Sequence, residues 1–179
     1  MDNYSDIELV RFSVGGNARA FEHLVKRHYM TVYKVSYRWT GVKEDAEDIA
    51  QDVFVKLGRK LKTFSQKSSF KTWLYRITVN TAKDYHRHRA TKRVYETAFA
   101  SELGSDNPAP LKSDDLKAAR LYKALGKLPE KQRAAVLLVL SEGLSHREAA
   151  QVLHCSETTV SWRIFQARKK LKTSLEHEL

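Results

Sequence analysis

Thr158, Thr159, Trp162, Phe165, Gln166 and Lys169 recur near the end of the chain at spacings that set them on one side of a helix. Their chemistry is that of a base-reading surface. A glutamine can bond adenine bidentately, and a phenylalanine ring or threonine methyl can lie against the thymine methyl. Ser161, Arg163 and Arg168 flank that face, and Arg163, Arg168, Lys169, Lys170 and Lys172 can supply cations for phosphates. About six such contacts would give a salt slope near −5. A second group lies earlier. Arg76, Asn80, Lys83 and Arg87 fall at i, i+4, i+7 and i+11, with Phe70, Trp73 and Tyr75 nearby beside Lys71. Just before them comes the small polar stretch Phe64-Ser65-Gln66-Lys67-Ser68-Ser69. Aromatics interleaved with cations suit stacking on unpaired bases and tracking of a backbone. Trp73 serves equally well as core. A third group has the opposite sign. Asp45, Asp48, Gln51, Asp52 and Val55 share a helix face that would repel DNA, so a protein partner is expected there.

Other chemistries find little support. No GxxxxGK, HExxH, GxSxG or GxGxxG pattern occurs. The histidines at 86, 88, 146, 154 and 177 show no ligand spacing that Cys155, the single cysteine, could complete, and one cysteine excludes an internal disulfide framework. The reading is a protein that is not an enzyme, with no cofactor and no metal. No apolar run approaches the ~20 residues of a spanning helix, and the acidic start, Met1 to Asp6, is unlike a secretory leader. A cytoplasmic protein without membrane insertion is expected.

The elements that must hold these residues are helical. Apolar spacing follows a helical period almost throughout, without sustained alternation. Ser5 can cap a short helix ended by Gly15-Gly16. A second helix, from Ala18 to about Thr40, turns Phe21, Leu24, Val25, His28, Val32, Val35 and Trp39 inward. The third opens with the acids Glu44, Asp45, Glu47 and Asp48 and buries Ala46, Ile49, Ala50, Val53, Phe54 and Leu57. The fourth is predicted from about Phe70 to Arg89. Further on, Pro129 marks a helix start and Gly143 a stop. Ser145 with Glu148 forms a capping box for a short helix to Leu153, His154-Cys155 makes a turn, and Ser156 caps a last helix to about Thr173. Two capped helices joined by a tight turn make a helix-turn-helix.

Charge divides the chain the same way. The net +11 splits into +7 over residues 1–90, −2 over 91–116 and +6 over 117–179. The middle stretch holds two of the three prolines and no clear period, so it reads as a flexible acidic linker. The predicted fold is all-α: two small helical domains, 1–92 and 116–179, joined by a linker over 93–115, with the helix-turn-helix in the second.

Three motifs in order carry a family resemblance. Gly41-Val42-Lys43-Glu44-Asp45-Ala46-Glu47-Asp48-Ile49-Ala50-Gln51-Asp52-Val53-Phe54 resembles region 2.2 of bacterial RNA polymerase sigma factors of the extracytoplasmic-function group. Phe70-Lys71-Thr72-Trp73-Leu74-Tyr75-Arg76-Ile77-Thr78-Val79-Asn80 resembles their promoter-melting and −10 segment. Leu128-Pro129-Glu130-Lys131-Gln132-Arg133, Glu142-Gly143-Leu144-Ser145 and Thr159-Val160 through Ala167-Arg168-Lys169-Lys170-Leu171 resemble their −35 reading domain. The resemblance implies an alternative sigma factor that binds core polymerase, directs it to promoters and promotes strand opening. It implies that Asp45, Asp48, Gln51 and Asp52 dock on the polymerase clamp helices, and that the second domain meets the flap. Phe64, Ser65, Lys67, Ser68, Ser69 and Trp73 would take the single-stranded non-template −10 element, while Arg76, Asn80, Lys83 and Arg87 hold the surrounding DNA. Arg147, Thr158, Thr159, Ser161, Trp162, Arg163, Phe165, Gln166, Arg168 and Lys169 would read the −35 element. An anti-sigma factor is a further implied partner, through which the protein would associate with a membrane if at all. A conventional helix-turn-helix regulator needs neither the acidic third helix nor the aromatic loop.

Overall fold

The computed structural model describes residues 3–99, 121 and 123–176. Among them all regular structure is helical. Helix α1, Asp6–Val14, opens with a capping box: the Ser5 hydroxyl accepts from the Glu8 N–H, and the Glu8 carboxylate accepts from the Ser5 N–H at 2.7 Å. Asn17 caps α2, Ala18–Thr40, through the Ala20 N–H, and Gly41 ends it at φ 70°. That left-handed position is why a glycine stands there. One residue later α3, Lys43–Lys60, turns back along α2, with Glu44 and Asp45 in its first turn. A 3₁₀ turn, Leu61–Thr63, and the loop to Ser69 lead into α4, Phe70–Phe99. Leu9, Leu24, Ile49, Val53, Leu57, Leu74 and Val79 make the dry centre of this bundle. Asp6 fastens α1 to α2 by accepting from Arg27 at 2.9 Å and facing His28 Nε2 at 3.0 Å.

Helix α4 outruns its expected end near Arg89 and enters the stretch read as linker. No glycine or proline occurs from Ala90 to Phe99, and alanine, arginine, lysine and glutamate are good helix formers, so nothing local stops it. The rest of that stretch, residues 100–115, lies outside the described residues.

The second bundle begins with helical residues 123–126. Helix α5, Glu130–Val136, follows Pro129 and widens into a π-helical turn over Leu137–Ser141. The Glu142 N–H donates back to the Leu137 carbonyl at 3.0 Å. A single regular helix was the expectation here. The wider turn, frequent at functional sites, delivers Glu142 to the seam with the first bundle. Helix α6, His146–Leu153, carries the Ser145–Glu148 capping box, and α7, Glu157–Glu176, starts from Ser156, whose hydroxyl accepts from the Thr159 N–H at 3.1 Å. His154 closes α6 in the left-handed conformation at φ 49°. Ala134, Ala135, Leu138, Ala149, Val152, Val160, Ile164 and Ala167 fill the core.

Candidate nucleic-acid interface

The loop before α4 and the first turns of that helix form an aromatic head. Phe70 is buried. Phe64 meets it edge-on at 5.6 Å and lies 5.2 Å from Trp73, and both Phe64 and Trp73 stay half-exposed. Core and surface therefore share Trp73: one side packs, the other is open to a flat ligand. Ser65, Lys67 and Ser69 are exposed and Ser68 half-buried. Gln66 takes a left-handed φ of 58°, which bends this loop. The Ser69 hydroxyl is engaged in capping α4, accepting from the Thr72 N–H at 3.1 Å. Tyr75 departs from the expected cluster. It is 3% exposed, and its hydroxyl donates to Glu142 at 3.1 Å. Burial and that carboxylate hold its phenol well above the usual range.

Along the α4 stripe Asn80 and Arg87 are exposed, while Arg76 and Lys83 are half-buried. Arg76 donates to the Gln151 carbonyl at 2.9 Å, Arg87 bonds Glu130 at 3.0 Å, and Lys83 lies 3.7 Å from the same carboxylate. Burial pushes the Lys83 ammonium below its ordinary range, against the pull of Glu130.

On α3, Asp48, Gln51 and Asp52 are exposed as expected, Asp52 pairing with Lys56 at 3.1 Å. Asp45 is not part of that open face. It is 9% exposed, accepts from the Tyr85 hydroxyl at 2.9 Å and pairs with Arg89. Helical periodicity puts Asp45 on the same side as Asp48, but α4 crosses over this first turn and covers it. Beside Asp48 and Gln51 opens a groove lined by Phe21, Val25, Tyr29, Phe54 and Val55. Tyr29 and Phe54 stack at 6.0 Å, and Tyr33 and Tyr37 continue the stack along α2. Sequence reasoning missed these tyrosines. Their four-residue spacing, Tyr29-Tyr33-Tyr37, was the available signal.

In the helix-turn-helix the recognition face stands clear: Trp162 is 57% and Phe165 65% exposed, and Thr158, Arg168 and Lys169 are exposed too. Gln166 is half-buried beside them. Thr159 is half-buried and tied to the cap through Ser156, while the Ser161 hydroxyl donates to the Glu157 carbonyl and contacts His146 Nδ1. Arg163 reaches Cys155 Sγ at 3.4 Å. Arg147 is exposed on α6, across a polar cleft from Lys67 and Trp73. Among the described residues no group of three or more histidine, cysteine or carboxylate side chains could hold a metal ion, and no helix is long and apolar enough to cross a membrane.

Two family models match, sigma-70 region 2 over residues 24–92 and sigma-70 region 4 over residues 118–171. An ECF RNA polymerase sigma-E factor of Haemophilus influenzae is 30% identical over 98% of this chain and 97% of its own. The solved structure of CnrH in complex with the cytosolic domain of CnrY superposes at a TM-score of 0.74, 30% identical, over 97% of this chain and 99% of that one. The sigma factor RpoE of Bartonella quintana, in complex with the anti-sigma factor NepR, follows at a TM-score of 0.68, 25% identical, over 89% and 98% of the two chains.

Proposed function

The chain belongs to the extracytoplasmic-function group of the sigma-70 family, and from that premise we propose that it reads a −10 and a −35 element for core RNA polymerase and promotes strand opening at the −10 element. The observation carrying this is that one small bundle bears two surfaces of opposite chemistry. The acidic face of α3, with its aromatic groove, fits a protein. The aromatic and basic head of α4 fits unpaired DNA.

Asp48, Gln51 and Asp52 dock on the polymerase clamp helices, and the groove beside them takes an apolar side chain from that partner. Asp45 acts indirectly, by bracing α3 against α4 through Tyr85 and Arg89. The loop from Phe64 to Ser69 receives an unstacked base of the non-template strand, with Trp73 and Phe64 as its platform. Arg76, Asn80, Lys83 and Arg87 hold the flanking backbone. In the second bundle, α7 enters the major groove with Trp162, Phe165 and Gln166 toward the bases, and Arg168 and Lys169 on phosphates. This assigns residues 1–92 to polymerase binding and melting, 93–115 to a linker and 116–179 to the −35 element and the flap. The protein acts in the cytoplasm. The structure of RpoE with NepR supports an anti-sigma partner of some kind here too.

Run-off transcription by core polymerase with this protein on a promoter library tests the reading. Product from a subset of promoters with shared −10 and −35 sequences is expected. The double variant Asp48→Arg, Asp52→Arg should lose co-purification with core polymerase while keeping its helical content, since like charges set against each other across an interface cost several kcal/mol. Undiminished co-purification would refute the assignment of α3.

A further inference from the structure

The recognition face of α7 carries the two most exposed large apolar side chains among the described residues, Trp162 and Phe165. The bundle does not need them there. Val160, Ile164 and Ala167 already bury the opposite side of the helix, so a polar residue at 162 or 165 would leave the core intact. Exposed apolar surface of this size on a folded domain marks a partner. Two aromatic rings three residues apart are a large area to leave in water.

The polar neighbours of the rings are committed to the fold. The Thr159 hydroxyl bonds that of Ser156 at 2.8 Å, at the start of the helix. Ser161 has one hydroxyl proton, which goes to the Glu157 carbonyl at 3.0 Å, while its oxygen faces His146 Nδ1 at 2.8 Å. Arg163 reaches back to Cys155 Sγ at 3.4 Å. These groups hold α7 in place against the turn and α6. Much of the face that remains for a ligand is hydrocarbon ring, with Gln166 half-buried beside it.

The surroundings say what the rings meet. Arg168, Lys169 and Lys170 are exposed on the same helix, so a second copy docking here would set like charges together, whereas a polyanion gains from them. In the major groove of DNA the one apolar group on a base edge is the 5-methyl of thymine. Cytosine carries only a hydrogen at that carbon. Three residues of helix advance about 4.5 Å, against about 3.4 Å from one base to the next. The two rings therefore fall against neighbouring base pairs.

We infer that Trp162 and Phe165 each cover a pyrimidine 5-methyl group, at two neighbouring base pairs of the −35 element. The inference deepens the −35 reading of α7 proposed above and rests on it. Its consequence is that selection at these two positions is for a methyl group. Thymine and 5-methylcytosine are accepted, uracil and cytosine are disfavoured, and methylation of a cytosine at either position strengthens binding.

Methyl exchange tests this with the polymerase complex on a promoter obtained from the library. Each thymine on either strand of the −35 element is replaced singly by uracil, which keeps the pairing and removes only the methyl. Complex formation should weaken about four-fold at each of two neighbouring positions, the worth of burying one methyl group, and about fifteen-fold with both replaced. Trp162→Ala should erase the thymine–uracil difference at one position and Phe165→Ala at the other, each leaving the remaining difference in place. Cytosine at either position should bind about four-fold more weakly than 5-methylcytosine, and only in a chain that keeps the matching ring. The uracil comparison uses the unchanged protein, so it does not depend on how a variant folds. Uracil equal to thymine throughout the element, or a difference that survives in both alanine variants, overturns the inference. Alanine variants that bind every template as the unchanged chain does also overturn it, and assign the rings to a protein partner. Scrambling the element separates this inference from its premise. If scrambling costs binding while uracil does not, the methyl reading alone falls; if scrambling costs nothing, the −35 reading falls with it.

Discussion

Gln166 sits half-buried next to two exposed aromatics, and it is the recognition-face side chain best suited to bidentate bonding with one base. Lys170, exposed a turn further along, can only neutralise charge. The two should fail differently. Gln166→Ala is expected to cost about 1–3 kcal/mol on the preferred −35 sequence and little on others. Lys170→Ala should weaken all sequences alike and reduce the salt slope by about 1. Transcription from a library randomised over the −35 element separates them, and equal loss across the library for both variants would contradict the assignment. At this scale the sequence was legible where one helix decides the outcome. Trp162 and Phe165 point outward because Val160, Ile164 and Ala167 are buried on the other side. It was not legible where a second element intrudes. Asp45 is covered by α4, and Tyr75 is drawn toward Glu142, sixty-odd residues away, which no local period can reveal.

The helix-turn-helix depends on two local devices at the ends of α6. At its start, the Ser145 N–H and hydroxyl both donate to the Glu148 carboxylate, at 2.9 and 2.7 Å, and those bonds hold the carboxyl below its usual range. Ser145→Ala should destabilise this helix by about 1 kcal/mol. The sign of the pH effect follows from the lowered value. The contribution of Glu148 is fully present above its unfolded-state value, near 4.5, and disappears as pH falls through the lower folded one. At the other end, His154 holds a left-handed conformation that glycine adopts without strain. His154→Gly should therefore be neutral or stabilising by up to about 1 kcal/mol. Amide hydrogen exchange across α6 in the two variants, at neutral pH and near pH 4, measures both effects, and faster exchange in His154→Gly would contradict the strain argument. Helix starts such as these were readable because caps are local chemistry. The π-helical turn before Glu142 was not, since its widening serves a contact with α2 and α4, and the extension of α4 to Phe99 was hidden by the acidic, proline-bearing stretch beyond it.

The whole molecule places its charge at two sites. The +7 of residues 1–90 and the +6 of 117–179 sit on separate bundles, and the 91–116 stretch between them, helical to Phe99, can reach at most about 70 Å. That is enough for elements about two helical turns apart, ~70 Å. If each bundle grips its own element, their counterion release should be separable. Arg168, Lys169, Lys170 and Lys172 on α7 would release about 0.9 ion per phosphate contact, a combined slope near −3.6. The polymerase complex should therefore lose roughly that much of its log–log salt slope when the promoter is truncated just downstream of the −35 element. The slope contributed through Lys83 and Arg87 should remain. No change in slope on truncating the upstream DNA would mean that the two basic bundles do not act as independent grips on separate elements.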